Sequence, residues 1–327
     1  MPSTQTHPTA EIDSGFRVRT RTAHPPTVSF VVPTHNSVRT LESCLRSIRA
    51  QSHPNVELIV VDNGSTDSTL LIARAYADRV FAFRPTRSAA QRNAGWRAAR
   101  GEIVVFIDSD MVVERGVAAE SVRCFRLDPD VGALVVPEHS FGEGYLARCR
   151  ALEKQLYLGD PSIEAARVFR AEAVAEVGGY DETRYAAEDW EFADRVRAVG
   201  WGVDRLEAGV LHDEGRISLS ALFHKKRHYG RDLRGYLCRR NMAGRTAGRA
   251  ARLARPSELV RCPLLAVGIG VLKAVETFGL LCGAVGATRV GGAARPAAAT
   301  AAGRAQLARR RAAIAASCEA IEDRVDG

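Results

Sequence analysis

Glu102-Ile103-Val104-Val105-Phe106-Ile107-Asp108-Ser109-Asp110 is a short apolar run that ends on two carboxylates one residue apart. A run of this length and composition reads as a strand buried on both faces, the kind found inside a parallel sheet. Where strand geometry persists, residues i and i+2 point the same way. Asp108 and Asp110 would then offer hard oxygen ligands suited to Mg²⁺ or Mn²⁺, ions that bridge a protein acid to a diphosphate. Alone, the same three residues serve equally well as a strand cap or the opening of a turn.

Upstream, Val28-Ser29-Phe30-Val31-Val32 reads as a strand, and Leu41, Cys44, Leu45 and Ile48 follow with the i, i+3, i+4, i+7 spacing of an amphipathic helix. Glu57 to Val61 is a second strand, Asp62-Asn63-Gly64-Ser65-Thr66-Asp67 a turn, and 68–77 a helix. Val80 to Phe83 and a helix over 88–100 repeat the pattern before the 102–107 strand. Apolar strands alternating with helices predict an α/β fold, a Rossmann-like, mostly parallel sheet flanked by helices. Ligands of such sheets bind beyond the carboxyl ends of the strands. Three polar clusters, Pro33-Thr34-His35-Asn36, Asp62 to Asp67 and Asp108-Ser109-Asp110, fall at three successive strand ends. Placed at one edge of one sheet, they would form one site.

The chain has 327 residues, enough for one large domain or a domain with an appendage, and 46 Lys+Arg against 38 Asp+Glu give a net charge of +8. The basic excess is concentrated after about residue 216, which favours an anionic partner for that part. Seven cysteines, without a C-x-x-C pair, read as reduced thiols in the cytoplasm. The expected division is a disordered tail over 1–26, a catalytic domain over 27–215, a basic and apolar helical region over 216–290, and an Ala/Arg-rich helical tail over 291–327.

Val31-Val-Pro-Thr-His-Asn36, Val61-Asp-Asn-Gly-Ser-Thr-Asp67, the Arg92-Asn-Ala-Gly95 stretch, Phe106-Ile-Asp-Ser-Asp110, Val177-Gly-Gly-Tyr-Asp-Glu182 and Ala187-Glu-Asp-Trp-Glu-Phe192 occur in that order. In this series the chain resembles the inverting nucleotide-diphospho-sugar glycosyltransferases of family 2, over about residues 27–215. The resemblance implies the A-type glycosyltransferase fold, a nucleotide-diphospho-sugar donor, and Mn²⁺ or Mg²⁺ as cofactor. It assigns Pro33, Thr34, Asn36, Asp62, Gly64, Arg92, Asp108, Ser109 and Glu188 to the nucleotide sugar. Asp110 becomes the direct metal ligand, with Asp108 near the ribose and the metal's hydration shell and His212 an additional ligand. Asp189 becomes the base that takes the proton from the acceptor hydroxyl. The residues also admit plainer readings: Asp62 as an Asx-turn residue, Thr34 and Asp67 as turn or cap residues, and Glu188-Asp189 as the acidic first turn of a helix. Trp190 and Trp201 either shape an acceptor pocket or fill the core.

Residues 224–245 are basic with interleaved Tyr and Leu, and two apolar runs, 263–272 and 277–288, are separated by Lys273 and Glu276. Each run is short for a membrane span. The combination predicts a C-terminal helical appendage attached at the interface to an anionic membrane surface, at the inner face of the plasma membrane. A single span over 263–288 and a hairpin packed on the catalytic domain are the other readings. Membrane attachment fits a polyprenyl-lipid or surface-glycan acceptor, with no nucleic acid expected as partner. A non-catalytic nucleotide- or glycan-binding protein of the same fold, or a basic nucleic-acid-binding protein, are the alternatives. Release of nucleoside diphosphate that Asp110→Asn abolishes would separate enzyme from binding protein.

Overall fold

The computed structural model describes residues 25–82, 87–160, 163–184, 187–231 and 261–287. Residues 1–24 of the predicted 1–26 tail, the predicted tail over 291–327 and the basic stretch beyond 231 lie outside the described residues. Pro25 and Pro26, grouped with the N-terminal tail by composition, accept hydrogen bonds through their carbonyls, from Asn55 Nδ2 at 2.7 Å and at 2.7 Å from His53 Nε2.

The chain opens as the apolar pattern predicts. β1 (Val28–Thr34) is followed by α1 (Leu41–Arg49), whose buried residues are Leu41, Cys44, Leu45 and Ile48. Their spacing turns one stripe of the helix onto the sheet, and each fully buried Leu or Ile contributes about 1.5–3 kcal/mol. β2 (Val56–Asp62), α2 (Thr69–Tyr76), β3 (Arg79–Ala82), α3 (Ser88–Ala98) and β4 (Ile103–Phe106) complete this half. β3 is only partly covered, because it lies at the sheet edge.

After β4 come β5 (Met111–Val113), α4 (Val117–Leu127), β6 (Val131–Val135), β7 (Glu138–Glu143), α5 (Gly144–Gln155), β8 (Ala166–Arg170) and α6 (Ala171–Val177). α7 (Glu188–Ala198), β9 (Gly202–Arg205), β10 (Val210–Arg216) and α8 (Leu219–Gly230) follow, with α9 (Pro263–Ala287) the last described helix. A seven-stranded sheet has the order β3-β2-β1-β4-β8-β6-β9, and a second, three-stranded sheet the order β5-β10-β7. β1 pairs in parallel with both β2 and β4, and β8 runs antiparallel to β4 and β6. The outcome is the expected mostly parallel sheet between helices, with one reversed strand near its middle. That reversal brings the start of β8 to the carboxyl end of β4, which no periodicity announces. Gly95 lets α3 approach the sheet closely, since a Cβ there would overlap Val31 Cγ1.

The C-terminal appendage differs from expectation in one respect: the two apolar runs are a single helix of 25 residues. Lys273 and Glu276 do not interrupt it, because both turn toward the domain. Glu276 receives Arg150 at 2.7 Å, Lys273 at 2.7 Å and Lys226 at 3.3 Å, while Lys273 also pairs with Glu153. α9 therefore packs on α5 and α8 through a buried ionic cluster. Gly283 and Gly230 sit at closest approach, where a Cβ on either would strike backbone of the facing helix. The described cysteines 44, 124, 149, 262 and 282 are free.

Burial opposes ionisation of Glu276, but Lys226, Lys273 and Arg150 outweigh it and bring its carboxyl from 4.5 down to about 2. The stabilisation this supplies is complete above pH 4.5 and disappears as the pH falls to about 2. Glu276→Ala leaves Lys226 without its acid and Arg150 and Lys273 with Glu153 alone, and we expect a loss of about 3 kcal/mol in urea unfolding, with faster proteolysis between α8 and α9. In Glu276→Gln the acid-dependent part of the unfolding curve between pH 4.5 and about 2 should flatten.

Candidate active site

The three polar clusters at the strand ends come together. Asn36, with φ +48°, receives the Thr66 N–H on its Oδ1 at 2.9 Å and donates its own N–H to Ser65 Oγ at 2.8 Å. Ser37 and Ser109 hydroxyls meet at 2.9 Å. The loops after β1, β2 and β4 are thus joined into one polar rim, as parallel strands of this order require.

Within the rim, Asp62 is fully buried and its carboxylate is engaged locally. Gly64 and Ser65 N–H donate to Oδ2 at 3.0 and 2.9 Å, and Ser65 Oγ donates to Oδ1 at 2.5 Å. This is the Asx-turn reading, with Gly64 at φ +75°. Asp67 accepts the Thr69 N–H at 3.0 Å, the cap role anticipated for it. Pro33 is a buried residue of β1, and Thr34 Oγ1 is buried beside it without a hydrogen-bond partner.

Asp108 and Asp110 do not act as a matched pair, because β4 ends at Phe106 and the strand geometry does not carry through to them. Asp108 takes Arg92 at 2.6 Å and Arg167 at 3.2 Å. Burial disfavours its charge, yet the two guanidinium groups hold its carboxyl well below the ordinary range. Arg92, on α3, is 4% exposed and also reaches Glu188 at 3.1 Å and Asp189 at 3.7 Å. Arg167 continues the network to Glu138 at 2.9 Å. It is held there by the antiparallel pairing of β8 with β4, in which Val168 faces Val105.

Asp110 turns to His212, which the pairing of β10 with β5 sets opposite Met111. His212 Nε2 lies 3.3 Å from Asp110 Oδ2, and Nδ1 lies 2.7 Å from Glu138 Oε1 and 3.0 Å from Lys154 Nζ. Burial pushes the imidazole down, but the hydrogen bonds to Asp110 and Glu138 outweigh it and raise its pKa to about 9. Asp110 Oδ1 is buried with no hydrogen-bond partner. An orphan carboxylate oxygen is costly unless a cation or donor joins it. Among the described residues no group of three or more His, Cys, Asp or Glu side chains converges as a closed metal cage. The unpartnered Asp110 oxygen, and the His212 imidazole once it has lost a proton, are donor types that fit an open Mg²⁺ or Mn²⁺ site completed by substrate oxygens and water.

Glu188 and Asp189 open α7 after Ala187 in a left-handed conformation. Asp189, Arg167 and Trp190 face a cavity of about 360 Å³, whose far wall includes Lys226, Lys273 and Glu276. Burial raises the Asp189 pKa above 3.8, and Arg92 only partly offsets this. Trp190 donates to Ile163 O at 2.8 Å from the cavity wall, whereas Trp201 is packed in the core and donates to Glu176.

Residues 29–163 match the profile of Glycosyl transferase family 2. These residues form a family 2 glycosyltransferase domain. The chain is 32% identical over 223 residues to the pre-mycofactocin glycosyltransferase of Mycobacterium tuberculosis, covering 62% of this chain and 46% of that protein. It is 37% identical over 103 residues to the putative glycosyltransferase EpsH of Bacillus subtilis, covering 30% of each. The chain thus spans less than half the length of these relatives. A mannosyltransferase from Pyrobaculum calidifontis, solved with GDP-mannose and Mn²⁺, superposes with a TM-score of 0.53 at 21% identity, over 81% of this chain and 88% of that one. The fold is the A-type glycosyltransferase fold.

The residues predicted from sequence gather in three adjoining groups. Asn36, Asp62, Gly64 and Ser109 build the rim; Arg92, Asp108, Glu188 and Asp189 share one buried guanidinium; Asp110 and His212 pair beside them. Arg167, Glu138 and Lys154 had no signal in the sequence reading, since they lie on elements that it left undivided. Arg92→Met leaves Asp108, Glu188 and Asp189 with much of their charge uncompensated, and we expect a loss of about 3 kcal/mol in denaturant unfolding, with Arg92→Lys intermediate.

Proposed function

We propose that the chain is a metal-dependent inverting glycosyltransferase that moves a sugar from a nucleotide-diphospho-sugar to a hydroxyl of a lipid-linked or surface-glycan acceptor at the cytoplasmic face of a membrane. One observation carries this reading: Arg92 pairs with both Asp108 and Asp189, so one side chain ties the diphosphate turn to the candidate base at the cavity.

The nucleotide end of the donor is assigned to the rim, where the buried Thr34 Oγ1 has no protein partner and Asn36 and Gly64, both at positive φ, shape the backbone. Asp62 already takes three donors. With about four lone-pair sites per carboxylate, its role there is chiefly to hold the turn. Glu188 keeps Arg92 and Ser88 in place. Arg92 and Arg167 provide fixed positive charge for the diphosphate, preorganised by burial.

Asp110 and His212 would hold Mn²⁺ or Mg²⁺, with Asp108 next to them. When bound, the cation supplies neutralisation of the charge that develops on the leaving diphosphate. His212 would have to give up its Nε2 proton to ligate, so occupancy releases a proton.

In the transfer itself, Asp189 accepts the proton of the acceptor hydroxyl as that oxygen attacks the anomeric carbon. The bond from that carbon to the diphosphate oxygen breaks and the electron pair leaves with the nucleoside diphosphate. One displacement inverts the anomeric centre. The elevated pKa of Asp189 makes it a better proton acceptor than an ordinary aspartate.

A thermal-shift panel of UDP-, GDP- and dTDP-sugars with Mn²⁺ or Mg²⁺ tests the donor assignment, since a ligand of the folded state raises its apparent stability. One nucleotide series should shift the melting point with metal and lose that shift in Asp110→Asn; no shift with any of them would sink the reading. Asp189→Asn should retain the shift while lowering kcat by about 10²–10⁴. Because the base must be deprotonated, kcat/KM in the wild type should fall on the acid side, with an apparent pKa above 3.8.

A further inference from the structure

We infer that α9 lies flat in the surface of an anionic lipid bilayer, and that this docking presents the acceptor cavity to a membrane-borne acceptor. The inference deepens the transferase reading by naming how the acceptor side meets lipid, and it rests on that reading only for the second clause.

The outer face of α9 exposes Leu264 at 77%, Val267 at 65%, Val271 at 41%, Phe278 at 62%, Leu281 at 54% and Val285 at 64%. At about 100° per residue these six fall within one arc of about 100°, a continuous apolar stripe roughly 30 Å long. A soluble surface seldom carries such a stripe without a partner. The opposite face holds Ile269, Leu272 and Glu276, all buried, and Lys273.

Length and composition would let Pro263–Gly286 cross a bilayer. Its attachments oppose that. From Gly268, against Cys149 and Tyr145, to Gly283, against Arg227 and Gly230, the inner face is held by α5 and α8. A spanning α9 would carry Arg150, Glu153, Lys226 and the exposed cations of α8 into hydrocarbon, which is costly for each charge. Lying in the interface requires only the stripe to enter the acyl boundary.

Charge selects the lipid. The seam between α8 and α9 has two sides: Lys226 meets Glu276 on the inner one, while Phe223 packs on Phe278 on the outer one, with ring centroids 5.6 Å apart. Helical spacing from Phe223 places His224, Arg227 and Arg231, all exposed, on that outer flank. Cations beside an apolar stripe match a leaflet of anionic headgroups. On the reverse of the same helix, Lys273 and Glu276 wall the cavity that contains Asp189. Docking therefore brings that cavity within about one helix diameter, roughly 10 Å, of the membrane surface.

Flotation of the full chain with phosphatidylcholine vesicles, with and without phosphatidylglycerol, tests this. We expect flotation with the anionic vesicles, weakened by salt, and release of the bound protein by alkaline carbonate. Leu281→Glu and Phe278→Glu, both at exposed positions, should reduce vesicle binding by about tenfold or more. Arg227→Glu with Arg231→Glu should abolish the preference for anionic lipid. Melting curves and donor hydrolysis without vesicles should match wild type in Leu281→Glu and in the arginine pair, whereas Phe278→Glu also gives up its contact with Phe223 and is read against Leu281→Glu. The inference is overturned by a wild type that ignores anionic vesicles, by glutamate variants that float equally, by resistance to carbonate, or by a dimer in light scattering that loses its mass in Leu281→Glu while vesicles have no effect. Donor hydrolysis in the same samples reports the transferase reading separately, so loss of one leaves the other standing.

Discussion

The buried guanidinium of Arg92 is the contact on which the site depends. It is 4% exposed, yet it meets carboxylates from the β4 turn and from the start of α7. Burying an arginine is costly unless its charge is met, and crowding three half-buried acids together without it would also be costly. Each group is tolerable only because the others are present. That mutual requirement ties α3, the exit of β4 and the start of α7 together, although Arg92 and Glu188 are 96 residues apart in the chain.

The second network has the same logic and a different origin. Arg167 reaches Asp108 only because β8 enters the sheet antiparallel at the carboxyl edge of β4. Glu138 then links Arg167 to His212 and Lys154, so the charge balance at Asp108 and at Asp110 passes through one chain of ion pairs. Asp108 is neutralised by fixed arginines, whereas Asp110 keeps an oxygen without a partner. Two acids one residue apart therefore have different surroundings: the first is held between two arginines, and the second pairs with His212 through one oxygen and leaves the other without a partner.

α9 shows how a charge can mislead when read along the chain. Lys273 and Glu276 look like breaks in an apolar run, but on a helix they occupy the face opposite Val267, Phe278 and Leu281. Their charges are compensated by Arg150, Glu153 and Lys226. The polar side of the helix is its inner side, the reverse of an ordinary amphipathic surface helix.

The sequence by itself determined the α/β class, the strands and helices up to Phe106, and the presence of polar residues at three strand ends. These follow from local periodicity and turn chemistry, which short segments carry whole. It also marked Asp110, Asp189 and His212, through motifs whose order resembles family 2. What only the tertiary structure decided is which side chains meet. The reversal of β8 placed Arg167, the pairing of β10 with β5 placed His212 beside Asp110, and the packing of α3 under the sheet edge buried Arg92. Long-range pairing and burial depend on residues distant in the chain, so no window of sequence contains them. The Asp-Ser-Asp turn was legible as a motif, but the different partners of its two acids, arginines for Asp108 and His212 for Asp110, came from the fold.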